Sequence, residues 1–151
     1  MNNRSSVSGM YAVNNCLIAP IRDNIDDDEL KNIGKQILNH LKEFGSKGVI
    51  IDVSSVSIMG SYGFKLLKNT ARAISMMGAD AVFVGFQPGV ASSLVDLDMD
   101  LNGIITAVNT EDAFKIIEQK TIDLKEEDSE TDEDQKSETD IDGEIKAKED
   151  E

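Results

Sequence analysis

Apolar residues recur along the chain in two rhythms. Three short runs, "GVIIDV" (48–53), "DAVFVGF" (80–86) and "GIITAV" (103–108), are continuously apolar and rich in β-branched residues, the pattern of strands buried on both faces of a parallel sheet. Between them apolar positions fall three and four apart. Leu30, Ile33, Ile37, Leu38, Leu41 and Phe44 share one face of a helix. It opens with Asp26 to Glu29, where carboxylates meet the positive helix end, and it stops at Gly45. Phe64, Leu67, Ala71, Ile74 and Met77 or Met76 mark a second helix that ends at Gly78. Pro88 opens a third, "PGVASSLVDL" (88–97), and Asn109 caps a fourth, "TEDAFKIIEQ", with Asp112 three residues on in the manner of a capping box. "YAVNNCLIAPI" (11–21) is apolar but broken at Asn14-Asn15; it reads as two short strands or one bent strand, with Pro20 placing its end at a sheet edge.

Strands alternating with helices predict an α/β fold, a parallel sheet covered by helices. The periodic patterns stop near residue 122. Residues 123–151 hold few aliphatics, no aromatics, and 15 acids against 4 bases. Such a segment buries too little apolar surface to offset chain entropy, so it is expected to be a disordered acidic tail. Its repeated "SETD" (129–132 and 137–140) reads as low complexity. Residues 1–10 read as a flexible lead, and 11–122 as the single domain.

The formal net charge of -14 therefore belongs mostly to the tail; residues 1–122 are only mildly acidic, with a net of -3. Neither part favours nucleic acid, whose phosphates it would repel. Cys16 is the only cysteine, so no internal disulfide forms and a reducing cytoplasm is the expected location. The opening MNNRSSVSGM has no apolar core of a secretory signal, and no run is long enough to span a membrane.

Few residues suggest chemistry. "DLDMD" (96–100) resembles the start of a calcium loop, but the sixth and twelfth positions are Leu101 and Ala107 where glycine and a bidentate acid are needed. His40 is the only histidine; with no second ligand near it, it reads as structural. Neither the phosphate-binding G-x-x-x-x-G-K-[ST] nor a G-x-S-x-G elbow is present. Gly60-Ser61-Tyr62-Gly63 stands out, at a junction from buried strand to helix. Ser61 there suits an N-cap, its hydroxyl accepting from a backbone N–H two or three residues on. The same place suits a phosphate, which gains from the free N–H groups and positive dipole of a helix start.

Around that junction, "IDVSSVSIMGSYGFKLL" resembles the central signature of STAS domains, the fold of anti-sigma factor antagonists. The pattern Gly85-x-Gln87-Pro88-x-Val90-Ala91-x-x-Leu94-x-x-Leu97 is similar to the RsbS-like branch of stressosome subunits; the likeness covers roughly residues 11–120. The resemblance implies a mixed sheet of four or five strands flanked by about four helices. It also implies a non-catalytic scaffold with no cofactor and no metal. Its partners would be an RsbT-like serine/threonine switch kinase and RsbR-like STAS proteins, joined in a larger homo- or hetero-oligomer. Ser61 falls on the family's phosphorylated serine. Gly60, Ser61, Tyr62, Gly63, Gln87 and Pro88 would face the partner. Gly60 departs from the pattern, since an aspartate usually precedes that serine. The alternative reading from the residues alone is a small-ligand- or nucleotide-binding α/β module with its pocket at the strand ends.

Overall fold

Two of the apolar runs, 48–53 and 80–86, and the Cys16 segment become the inner strands of one sheet, and the run at 103–108 supplies an edge strand. In the computed structural model, which describes residues 9–149 with side chains through Glu130, the elements are β1 (Tyr11–Val13), β2 (Cys16–Pro20), α1 (Asp27–Phe44), β3 (Gly48–Asp52), α2 (Ser61–Met76), β4 (Asp80–Val84), α3 (Pro88–Asp96), β5 (Thr106–Ala107) and α4 (Thr110–Glu149). The sheet has five strands in the order β1-β2-β3-β4-β5. β1 and β2 form an antiparallel hairpin through Asn14 and Asn15, both at positive φ, and the other pairings are parallel. Asparagine tolerates that left-handed conformation, so the polar break inside an apolar stretch is a turn.

Each crossover from β2 to β5 moves one place in the same direction, and a consistent hand then puts α1, α2 and α3 on one face. Strand residues sort by the two-residue period. Leu17, Ala19, Val49, Ile51, Ala81 and Phe83 join the main core under those helices, whereas Cys16, Ile18, Ile50, Val82 and Val84 form a smaller core with Ala113 and Ile117 of α4. Gly48 is what lets α4 lie close: a Cβ there would stand 2.6 Å from Ile117 Cδ1.

The helix punctuation is as the sequence suggests for α1. Asp26 and Glu29 form a reciprocal capping box, with Glu29 N donating to Asp26 Oδ1 at 2.8 Å, and Gly45 closes the helix at φ +66. Asn109 Oδ1 accepts from Asp112 N at 2.8 Å at the start of α4.

Several expectations are corrected. β2 as a whole is an inner strand, between β1 and β3, but Pro20 at its end pairs only with Asp52, beyond the last β1 partner, Ile18, so the open edge is confined to the end of the strand. Phe44, assigned to the core face, is exposed and lies against the His40 ring at 4.6 Å between centroids. Met76 and Met77 are likewise exposed: Met76 stands about 200° round the helix from buried Ile74, and Met77 is the C-cap residue beyond the last helical turn. The strand expected over 103–108 shortens to Thr106–Ala107.

The chain divides into two compact units, Met1–Ile117 and Glu118–Glu151. The fourth helix does not stop near Gln119 but continues to Glu149, through the segment read as an unstructured tail. The physical reason is local. The segment has no proline and is rich in Glu, Lys and other tolerant helix formers. It also gains i,i+4 support such as Gln119 Nε2 to Asp123 Oδ1 at 2.9 Å. The lead expected over residues 1–10 lies mostly outside the described residues; Met10 packs against the main core.

Candidate functional site

The parallel strands β2, β3 and β4 end side by side, and the loops that leave them meet. Asp52, last in β3, accepts through Oδ1 from Ser54 N at 2.9 Å and starts the loop that leads to α2. Val56 and Met59 are buried and anchor that loop, while Ser54, Ser55, Ser57, Ile58 and Gly60 stay exposed.

The neighbouring loops hold it from both sides. From the β2–α1 connection, Asp23 accepts from Ser57 twice through Oδ1, from the backbone N–H at 3.0 Å and from Oγ at 3.0 Å, and Oδ2 lies 2.9 Å from the same hydroxyl. The Ser57 amide, then its hydroxyl, hold the Asp23 carboxyl below its usual 3.8. From the β4–α3 connection, Gln87 Nε2 donates to the Ser54 carbonyl at 2.8 Å. Gly85, at φ +80, passes so close that a Cβ would stand 2.7 Å from Ser54 Cβ. A lowered carboxyl pKa contributes binding that is present above the unfolded value and lost as pH falls through the folded one. The Ser57 amide resonance is therefore expected to stay fixed from neutral pH down to about pH 4, and to shift only below the ordinary aspartate range. Two-dimensional NMR across that range checks this.

Ser61 is not the N-cap that the sequence suggests. Gly60 holds that position, with φ -80 and ψ 167, and its carbonyl accepts from Phe64 N at 3.1 Å. Ser61 is the first helical residue, exposed, and no side chain caps the helix. Its hydroxyl thus stands beside free backbone N–H groups without occupying them. A Cβ at Gly60 would meet nothing within 4 Å. Gly60→Asp is accordingly expected to fit, to cap α2, and to stabilise the fold by about 0.5 kcal/mol, read as a higher urea midpoint with unchanged slope.

Tyr62 is half-exposed, with Lys31 Nζ of α1 5.7 Å from its ring centroid. The Tyr62 phenolic group, through its hydrogen bond and charge, and more weakly Asp28 and Asp27, raise the Lys31 pKa above 10.5. Gly63 is buried where α2 meets α1, so a Cβ would touch Leu30 Cδ1 at 3.4 Å; it packs helices and does not face solvent. Pro88 is exposed at the start of α3. The structure therefore brings Gly60, Ser61, Tyr62, Gln87 and Pro88 to one end of the sheet and turns Gly63 inward. Gln87 spends its amide on the Ser54 carbonyl.

Asp23 and Gly85 were not singled out from the sequence as site residues. Asp23 pairs with a residue 34 positions away and has no local signature. Gly85 opens the Gly85-x-Gln87-Pro88 pattern, where nothing local indicates its approach to Ser54. The acidic "DLDMD" segment has its own use: Asp100 Oδ2 lies 3.1 Å from Lys68 Nζ, which also donates to the Asp100 carbonyl and is almost buried. Lys68 so ties α2 to the segment after α3.

With this geometry, comparison with known proteins defines the class. The STAS domain family model matches residues 9–113, and the chain belongs to that family. It is a homologue of the RsbT co-antagonist protein RsbRA of Bacillus subtilis (strain 168), 26% identical over 117 residues, covering 74% of this chain and 42% of the relative. It thus spans less than half of that relative's length. Among solved structures, an RsbS variant from Moorella thermoacetica superposes with a TM-score of 0.67 at 21% identity, covering 76% of this chain and 97% of that one. A chain from the molecular architecture of the stressosome gives 0.65 at 22%, covering 74% and 97%. The anti-sigma factor antagonist SpoIIAA in its unphosphorylated form gives 0.58 at 14%, covering 73% and 95%. The fold is that of anti-sigma factor antagonists and stressosome components. Among the described residues, no helix is long and apolar enough to cross a membrane.

Proposed function

We propose that this chain is a non-catalytic, cytoplasmic scaffold and phosphorylation switch. It binds an RsbT-like serine kinase, holds it in an assembly with RsbR-like STAS proteins, and releases it when Ser61 is phosphorylated. The observation that carries the reading is the presentation of Ser61. It is exposed at the first position of α2, beside uncapped N–H groups, on a loop held by Asp23 on one side and by Gln87 and Gly85 on the other.

A phosphate there adds about -1.5 to -2 charge and finds donors already in place. The held loop fixes the backbone leading to Ser61, so little backbone ordering cost falls on a docking kinase. Ser57 shares the loop, but its hydroxyl is committed to Asp23. Kinship with an RsbT co-antagonist, and a fold shared with a stressosome chain and with SpoIIAA, support the choice of partners. Gly60 departs from the family pattern: it lacks the carboxylate that would orient the hydroxyl or help the kinase's metal, so phosphorylation of Ser61 is expected to be slower than with aspartate at that position.

Incubation with an RsbT-like kinase and ATP, followed by mass spectrometry, tests the reading. One phosphate on Ser61 and none on Ser61→Ala is the expected result. An unmodified wild-type chain would overturn it.

A further inference from the structure

We infer that the cleft between α3, β5 and the first turns of α2 is a binding site for an uncharged, largely apolar small molecule. The cleft has a volume of about 570 Å³, inside the range usual for ligand sites. Phe64 and Leu94, both buried, form its inner side, and Val95, Leu101 and Val108 stand around it exposed. Val108 is 81% exposed and Val95 65%, more than an edge strand and a short helix need to leave open.

Charge selects the occupant. No ionisable side chain lines the cleft, and Thr106 supplies its one side-chain hydroxyl. The segment between α3 and β5 carries Asp98 and Asp100, the latter paired with Lys68, and residues 1–122 have a net charge of -3. A phosphate or carboxylate would meet no cationic side chain and only the Thr106 hydroxyl as a side-chain donor, so nucleotides and fatty-acid anions are disfavoured by the same chemistry that admits a neutral alkyl or aryl group. The strand ends thus do hold a pocket, of a kind that suits neither nucleotide nor metal.

The cleft adjoins the Ser61 loop. Gly85 lines it, and the same residue abuts Ser54. Binding is nevertheless measured directly and does not depend on the phosphorylation reading.

The experiment titrates the full chain with N-phenyl-1-naphthylamine, a neutral fluorophore. Saturable enhancement at one molecule per chain is expected, reversed by 1-decanol and at least about tenfold more weakly by decanoate. Ala91→Trp, at an exposed position of α3 that lines the cleft, should weaken binding about tenfold or more, as should Leu101→Asp; Phe44→Ala, on α1, should leave it unchanged. If Ala91→Trp does not fold, Leu101→Asp decides. Absence of saturable binding, equal displacement by decanoate, or undiminished binding to the folded variants would overturn the inference. So would a dimer in sedimentation that Leu101→Asp or Ala91→Trp dissociates, which would assign the cleft to a second copy of the chain.

Discussion

Gly85→Ala is expected to destabilise the domain by about 2–5 kcal/mol, lowering its thermal midpoint by roughly 10 °C or more. Two costs combine. At φ +80 an L side chain pays about 1–2 kcal/mol for the left-handed conformation. The added Cβ would also stand 2.7 Å from Ser54 Cβ, 3.1 Å from its Cα and 3.2 Å from its N, so the backbone itself must move. A flexible side chain could turn aside, but the Ser54 backbone cannot. It is bonded through N–H to Asp52 and through its carbonyl to Gln87. Gly45→Ala is the natural control. Gly45 also has a positive φ, +66, but nothing lies within 4 Å of its would-be Cβ. It should cost only about 1 kcal/mol. Equal midpoints for the two variants in thermal denaturation would refute the close-approach account.

Ser61→Glu is expected to weaken kinase binding by about 100-fold or more while slightly raising the stability of the free chain. The opposite signs come from one carboxylate in two surroundings. In the free chain it stands at the start of α2, where the dipole and unpaired N–H groups favour negative charge by about 0.3–1 kcal/mol. In a complex it would be covered, next to Ile58, which is 81% exposed, and Tyr62, which is 49% exposed. These two side chains offer apolar surface to a partner. A charge buried between them loses its water without gaining a counter-ion. Ser61→Ala keeps the size of the contact and should bind within about threefold of wild type. Calorimetry on the three proteins separates these outcomes; tight binding by Ser61→Glu would end the release mechanism. Comparison with Gly60→Asp adds a further check. That variant also brings a carboxylate to the helix start but caps the N–H groups from the preceding residue, so it should gain stability without the same loss of affinity.

Much of the architecture was legible in the linear pattern. The inner strands are short, continuously apolar and bounded by turn residues, because burial on both faces leaves no room for polar alternation. The α1 boundaries follow from Asp26, Glu29 and Gly45, whose effects act over three or four residues. Sequence also located the Ser61 junction and the Gln87-Pro88 segment, since motif residues lie close together in the chain. It misjudged Phe44 and the two methionines. All three lie at the last helical or C-cap position, and helical spacing assigns a face but not how far along the helix that face stays covered.

Sequence by itself determined the elements, their alternation and the place of the exposed serine, all products of short-range physics. Only the tertiary structure decided how that serine is held. The clamp joins Asp23 to Ser57 across 34 residues and Gln87 to Ser54 across 33. Neither pair exists until the parallel register sets Pro20, Asp52 and Val84 abreast and brings the three loops leaving them together. The same register sets Gly85 against Ser54, and it opens the cleft beside Phe64 that no local pattern announces. Loop contacts of this kind depend on where strands end relative to one another, a quantity set by sheet pairing and written in no single stretch of the chain.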